Sequence, residues 1–260
     1  MEKKRASIAI VTGASSGMGR EFVRQIAESY RSISEIWVIA RREQALLTLQ
    51  EELKDKTTIR TLPMDLAEKD ACTELAALLK KEKPVIRILV NSAGLGHAGK
   101  LETQDVDQIL NMIDVNCRAL TAVTMTCLPY FRKGSRILQM DSGSAFLPQP
   151  GFAAYAASKA YVLSLSRALK EELRSRQISV TAVCPGPVKT DFFATGGIKL
   201  NPVKRLFLIK PERVVRKALF DAEKGKAVSI SGGSMKLVRA ASGVLPQGLM
   251  TRLSAMLFSF

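Results

Sequence analysis

The stretch Ser7-Ile8-Ala9-Ile10-Val11-Thr12 is an apolar run of strand length that stops at Gly13. It lacks the apolar–polar alternation of a half-solvated strand, so it suits a strand covered on both faces, as in a parallel sheet. Gly13-Ala14-Ser15-Ser16-Gly17-Met18-Gly19 follows, and residues 20–28 then place Phe22, Val23, Ile26 and Ala27 on one side of a helix. Strand, glycine turn and helix together make a cradle for phosphates. Glycines allow tight backbone and close ligand approach, and the helix start offers free N–H groups at the positive end of its dipole. The spacing G-x-x-x-G-x-G differs from the G-x-G-x-x-G dinucleotide fingerprint, and an ordinary glycine turn would also explain this segment alone.

The rest of the chain repeats the pattern. Strand-like runs are expected at residues 36–40, 58–62, 86–90, 136–140, 178–183 and 227–230. Helical periodicity lies between them at 43–54, from about 103 onward, at 155–174 and at 211–224. Steady alternation predicts an α/β fold with a doubly wound, parallel, seven-stranded sheet in a single domain. A hydrophobic content of 47% with 24% charged residues fits a globular protein with a sizeable core. We read residues 1–233 as the body and 234–260 as a hydrophobic and basic extension of the same domain.

Several function classes are disfavoured. Met1-Glu2-Lys3-Lys4-Arg5 leads at once into the first strand, so no secretory signal is expected. Cys72, Cys117, Cys127 and Cys184 are scattered, without metal-ligand spacing or a disulfide framework, which predicts free thiols in a reducing cytoplasm. His97 is the single histidine; a Ser-His-Asp hydrolase would rest on it alone, and a zinc site is not expected. The net charge is +15, and from Lys189 onward thirteen Lys and Arg face four Asp and Glu. With no aromatic–basic platform, zinc finger or helix-turn-helix signature, this charge suits an anionic small molecule, an acidic carrier protein or a membrane surface better than nucleic acid.

The chemistry concentrates in a few places. In Tyr155-Ala156-Ala157-Ser158-Lys159 the phenol and the ammonium are four residues apart, on one helix face. A free tyrosine titrates near pH ~10; a nearby cation favours its phenolate, and a change of about three pH units corresponds to roughly 4 kcal/mol. The pair reads as an acid–base device or, alone, as a packed ring beside a solvated lysine. The second strand ends in Ala40-Arg41-Arg42, with no carboxylate before Glu43, and guanidinium geometry suits a 2′-phosphate, so NADP is expected over NAD. Asp65, just past the third strand, contacts an adenine or caps the next helix. Small residues in Asn91-Ser92-Ala93-Gly94 would let a cofactor approach the backbone. Asn116 sits inside a helical stretch, where it marks a bend, a polar function or an ordinary hydrogen-bonded core residue.

With these segments in order, the chain resembles the short-chain dehydrogenase/reductase family in its single-domain, Rossmann-like form, from residue 7 to about 230. The resemblance rests on Thr12-Gly13-Ala14-Ser15-Ser16-Gly17-Met18-Gly19, Asn91-Ser92-Ala93-Gly94, Asn116, Ser142, Tyr155 with Lys159, and Pro185-Gly186 with Thr190. Ser92 replaces the usual second Asn, and Asp141 stands where a Ser often precedes the catalytic Ser. The resemblance implies that Tyr155 exchanges a proton with the substrate oxygen and that Ser142 holds that oxygen, with Ser144 the competing serine. It implies that Lys159 lowers the tyrosine pKa and binds the nicotinamide ribose, while Asn116 orders a proton-relaying water. It also maps Gly13, Ser15, Ser16, Met18, Arg41, Asp65, Leu66, Asn91, Ala93, Gly94, Val188 and Thr190 onto cofactor contacts, with Tyr155 and Lys159.

The expected activity is NADP-dependent interconversion of a secondary alcohol and a ketone. The resemblance also implies that the loop after Pro185-Gly186 covers the substrate, a lid at about 191–210 within the body, which holds Phe192, Phe193, Leu200, Leu206, Phe207 and Leu208 beside Lys199, Lys204 and Arg205. That composition suits a bulky hydrophobic substrate such as a steroid or bile acid, or a 3-oxoacyl group. A non-catalytic dinucleotide sensor on the same fold is the competing class. His97 reads as a surface residue or one near the substrate path. The 234–260 extension is expected to cover the pocket or join a subunit interface of a homo-oligomer, and after these to touch a membrane.

Overall fold

The computed structural model describes residues 5–68, 70–196 and 208–258. Strands β1 (Ser7–Thr12), β2 (Glu35–Ala40), β3 (Thr58–Pro63), β4 (Val85–Asn91), β5 (Phe131–Met140), β6 (Ser179–Pro185) and β7 (Val228–Ser231) form one sheet in the order β3-β2-β1-β4-β5-β6-β7. Every neighbouring pair is parallel. The chain winds outward from β1 to β3, then returns beside β1 and winds the other way. The reversal leaves a crevice between the carboxyl ends of β1 and β4, where open α/β sheets bind ligands.

Helices α1 (Gly17–Ser29), α2 (Glu43–Leu53), α3 (Asp70–Glu82), α4 (Val106–Ile113), α5 (Leu120–Cys127), α6 (Ala153–Glu172), the short α7 (Phe192–Thr195) and α8 (Pro211–Glu223) fill the crossovers. The apolar run of β1 serves both faces of the sheet. Ala9 and Val11 pack with Phe22, Leu46 and Val214 from α1, α2 and α8, whereas Ile8 and Ile10 pack with Leu75, Val123 and Leu169 from α3, α5 and α6. Two-sided burial is the reason this strand shows no alternation.

Three stretches differ from the sequence expectation. The helix expected from about 103 starts at Val106, because the Asp105 carboxylate accepts the Gln108 N–H at 2.9 Å, and residues 101–103 form a separate tight turn. Strand β5 begins at Phe131, ahead of the expected Arg136. Its register jumps opposite Ile86 and Ile88, Gly134 takes φ +84°, and the Ser135 hydroxyl donates to the Ile86 carbonyl at 2.7 Å. Lys133-Gly134 reads as a turn, but the bulge absorbs it within the strand. The extension forms two helices, α9 (Gly233–Ala241) and α10 (Gln247–Phe258), separated by the Gly243 to Pro246 break. Among the described residues, no helix is long and apolar enough to cross a membrane.

The last crossover is held by a buried acid. Asp221 of α8 accepts from Lys217, from Lys226 at 2.8 Å and from the buried Ser229 hydroxyl of β7 at 2.7 Å. These partners hold its carboxyl below the usual range against the opposing effect of burial. Asp221→Ala would leave Ser229 unpaired and is expected to lower stability by about 2 kcal/mol, read as a reduced urea midpoint. Because the folded-state pKa is depressed, this stabilisation is full above the ordinary carboxylate range and disappears as pH falls through the folded value. The difference between the two proteins should therefore shrink in acid.

Candidate active site

The carboxyl ends of β1 to β6 open into a cleft of about 950 Å³. Its floor begins at Thr12, whose hydroxyl accepts the Ser92 and Ala93 N–H groups at 3.0 and 3.1 Å, tying β1 to the segment after β4. Gly13 then turns with φ +66°, and a Cβ there would lie 2.7 Å from the Ala93 nitrogen. A Cβ on Gly19 would lie 2.2 Å from the Gly13 carbonyl oxygen. Only glycine fits either place. The turn delivers the start of α1 to the cleft, and Ser16 at that start makes no side-chain cap, so the first-turn N–H groups are left for a ligand. The cradle fits a dinucleotide pyrophosphate.

Ser15, Ser16 and Met18 line the cleft beside Gly13, as do Arg41, Asp65 and Leu66 from the ends of β2 and β3. The Arg42 guanidinium donates to the Ser15 hydroxyl at 3.2 Å, and Arg41 lies 3.7 Å from the Asp65 carboxylate. Asp65 also accepts the Ala67 N–H at 3.0 Å, so it holds a turn ahead of α3 and faces the cleft at once. Ala93, Gly94, Val188 and Thr190 line the cleft as well. Asn91 does not join them. Its amide donates to Thr124 and Gln139, each at 2.9 Å, within the core between β4, α5 and β5.

On the other side of the cleft α6 presents Tyr155 and Lys159, both buried. The Lys159 ammonium donates to the Met140 carbonyl at 2.9 Å and lies 5.7 Å from the Tyr155 ring centre. Burial pushes the Tyr155 phenol well up, a hydrogen bond with Ser142 opposes that rise, and Asp141 adds to it. Burial lowers the Lys159 pKa, and Asp141 opposes this. Ser142 is itself oriented by accepting the Ser144 N–H at 3.1 Å. Both serines line the cleft, and of the two it is Ser142 that lowers the Tyr155 pKa.

Asn116 lies behind this wall, fully buried, in a π-helical turn (Asp114–Ala119) between α4 and α5. Its oxygen accepts the Leu95 N–H at 2.9 Å, while its amide donates to the Leu95 carbonyl at 2.9 Å and the Ser158 hydroxyl at 3.1 Å. It thus marks a local change of helix geometry and also clamps the segment after β4 to α6 through its polar atoms. Gly94 leaves room here, since a Cβ would sit 3.3 Å from the Asn116 oxygen and 3.7 Å from the Lys159 nitrogen.

Several residues emerge only in three dimensions. Phe152 stacks on Tyr155 with ring centres 4.2 Å apart, and Phe192 lies 5.7 Å from the same ring. A Cβ on Gly96 would come within 2.4 Å of Phe192, so that glycine admits the ring. Phe152, three residues before Tyr155, carried a helical-spacing signal; Phe192 belonged to the expected lid. Of the other lid residues, 197–207 lie outside the described residues, including Lys199, Leu200, Lys204, Arg205, Leu206 and Phe207. From the extension, which the sequence offers as a pocket cover without saying which side chains face inward, Met235, Leu237, Val238, Ala241, Leu245 and Met250 line the same cleft. His97 is half-buried, its carbonyl accepting from the Gln104 amide at 3.3 Å.

A phosphate cradle at a sheet reversal, opening onto a buried tyrosine with serine and lysine neighbours, defines a dinucleotide-dependent oxidoreductase. The family model for short chain dehydrogenases matches residues 7–198, and the chain belongs to that family, acting on carbonyl and alcohol groups with a nicotinamide dinucleotide. It is 34% identical to sulfoacetaldehyde reductase 2 of Chromohalobacter salexigens over 199 residues, 74% of this chain and 77% of the relative. It is 30% identical over 224 residues to a very-long-chain 3-oxoacyl-CoA reductase of Laccaria bicolor, covering 83% of this chain and 63% of that one. A short-chain dehydrogenase from Sphingobium yanoikuyae, solved in complex with NADPH, superposes with a TM-score of 0.81 at 27% identity, covering 94% and 95% of the two chains.

The crowding at Gly13 makes a direct test. Gly13→Ala requires a left-handed alanine as well as displacement of Ala93, together costing about 2 kcal/mol. The variant is expected to bind NADPH at least about tenfold more weakly in a fluorescence titration.

Proposed function

We propose that the protein is an NADP-dependent reductase and dehydrogenase that interconverts a secondary alcohol and a ketone on a bulky, hydrophobic substrate. The observation that carries this reading is the buried Tyr155 with Lys159 5.7 Å from its ring and Ser142 on the same wall, in a cleft continuous with the glycine cradle. A dinucleotide bound in the cradle supplies or accepts the hydride. In reduction, the Tyr155 Oη gives its proton to the carbonyl oxygen; in oxidation it takes the proton back. Ser142 Oγ hydrogen-bonds that oxygen and fixes its distance from the phenol. Lys159, anchored on the Met140 carbonyl, adds positive charge beside the ring and would hold the ribose of a bound dinucleotide. Asn116 has its side-chain atoms engaged by Leu95 and Ser158, which favours a positioning role for it over direct hold on a relay water. A pure dinucleotide sensor would have no use for this set.

NADP is favoured by the paired guanidinium groups at the end of β2, with Arg42 over Ser15 and Arg41 beside Asp65. The substrate reading rests on the apolar wall formed by Phe152, Phe192 and the extension's Leu237, Leu245 and Met250. A steroid or bile-acid ketone fits such a wall. A 3-oxoacyl substrate on an acidic carrier is the second reading, favoured by the +15 net charge and by the 3-oxoacyl-CoA reductase relative. Four free cysteines suit the reducing cytoplasm. The exposed apolar side chains Val106, Leu110, Ile113 and Met125 along α4 and α5 suit a homo-oligomer interface. The extension serves first as a pocket cover. Peripheral membrane contact would fall to its exposed Val244 and Met256, with Arg252 nearby in sequence.

The decisive experiment is NADPH consumption against steroid ketones, bile-acid ketones and 3-oxoacyl thioesters, repeated with NADH. Tyr155→Phe is expected to lower turnover at least about a hundredfold while still binding NADPH, since general acid–base groups contribute about 10² or more. Full activity in that variant would refute the assignment. Arg41→Asp should shift the NADP-to-NAD efficiency ratio by about tenfold or more toward NAD. An unchanged ratio would move the selector to Arg42.

A further inference from the structure

One acidic group in the cleft wall neither holds the substrate oxygen nor exchanges its proton. Asp141, the last residue before Ser142, is 4% exposed and lines the cleft. Its Oδ2 accepts from the Cys184 thiol of β6 at 3.4 Å, and its Oδ1 finds no hydrogen-bond partner among the described residues. Its N–H donates to the Val183 carbonyl at 2.9 Å, which fixes the backbone between β5 and the serine. The carbonyl just before it, that of Met140, is the one that anchors the Lys159 ammonium. A carboxyl so poorly compensated destabilises the wall it occupies unless its charge is useful.

Other charged or titratable groups face this corner from each neighbouring element. Helix α6 brings Lys159, Tyr155 and the guanidinium of Arg167, while β6 brings Cys184. Arg239 of α9 acts on Cys184, and Cys117 acts on Lys159. Asp141 is the one carboxylate in this set. Its ionised form opposes a second negative charge on Tyr155 and competes for the positive charge of Lys159.

We propose that Asp141 is a positioning residue of the proton-transfer site: its carboxylate holds the Tyr155 phenol in the protonated, donating form and so biases the site toward carbonyl reduction. The proposal rests on the Tyr155 reading above. Burial pushes the Asp141 carboxyl up to about 7, so its charge develops around neutral pH and is complete before the phenol begins to ionise. As pH rises, the carboxylate thus postpones loss of the proton that reduction requires.

The test compares pH profiles of kcat/KM for oxidation, using the alcohol of the most active ketone from the panel above and NADP. Asp141→Asn removes the charge at nearly constant shape. The alkaline rise of oxidation should move to lower pH by about one unit, making the variant about tenfold faster below that rise. Asp141→Glu should restore the wild-type profile, which a merely structural role would not predict. If Asp141→Asn fails to fold, Asp141→Ser gives the same reading. Should the panel yield no turnover, ultraviolet titration of tyrosinate, taken as the difference from Tyr155→Phe, should show the same downward displacement. An unmoved profile, or one displaced to higher pH, overturns the role of Asp141. Retained turnover in Tyr155→Phe would instead overturn the tyrosine assignment and this proposal with it.

Discussion

The structure depends on how closely two strand ends approach each other at the middle of the sheet. The Thr12 hydroxyl accepts two N–H groups from the segment after β4, and the next residue has no room for a Cβ against Ala93. That contact sets β1 and β4 side by side at the point where the winding reverses. It also positions Gly94 over the Asn116–Lys159 junction, so the glycine cradle and the Tyr155–Lys159 wall share one anchor. A parallel sheet that reverses elsewhere would leave the two halves of the site apart.

Desolvation dominates the chemistry of the wall. Tyr155 and Lys159 are both buried, and burial alone would make the phenol a poorer acid and the ammonium less charged. Polar groups of the fold oppose this: the Met140 carbonyl takes the ammonium, Ser142 lowers the phenol pKa, and Asn116 locks Leu95 and Ser158 around them. Preorganised dipoles of this kind need not rearrange when charge develops at the substrate oxygen. The extension belongs to the same scheme, since Met235 packs against Gly143 so tightly that a Cβ there would lie 2.3 Å from its sulfur. Helix α9 therefore presses on the turn that orients Ser142.

Much of this could be read along the chain. Strands β1, β2 and β6 follow from apolar runs of strand length, because two-sided burial imprints itself on successive residues, whereas β3 and β7 are mixed in polarity and were legible from their alternation with helices. The glycine cradle and the Tyr155–Lys159 pair were equally legible, since backbone crowding and helix periodicity are local. Asp65 kept two readings in the sequence, and in the structure it both holds a turn and faces the cleft. Asn116 likewise sits at a change of helix geometry and makes a polar clamp. The resemblance alone placed Asn91 with the cofactor, and in the structure its amide turns into the core toward Thr124 and Gln139, both far from it in sequence.

Order along the chain was enough for the periodic and the crowded: which segments are strands, where only glycine fits, and which two polar side chains share a helix face. Packing in three dimensions decided the depth of burial of those polar groups, the partner of Arg42, the bulge that lengthens β5, and the enclosure of the cleft by the extension. Hydrophobic period and steric exclusion act between near neighbours, so they are written in order along the chain. Desolvation and charge coupling depend on distances between residues far apart in sequence, and Asp141 beside Lys159 acquires its meaning only when β5 and α6 are packed together.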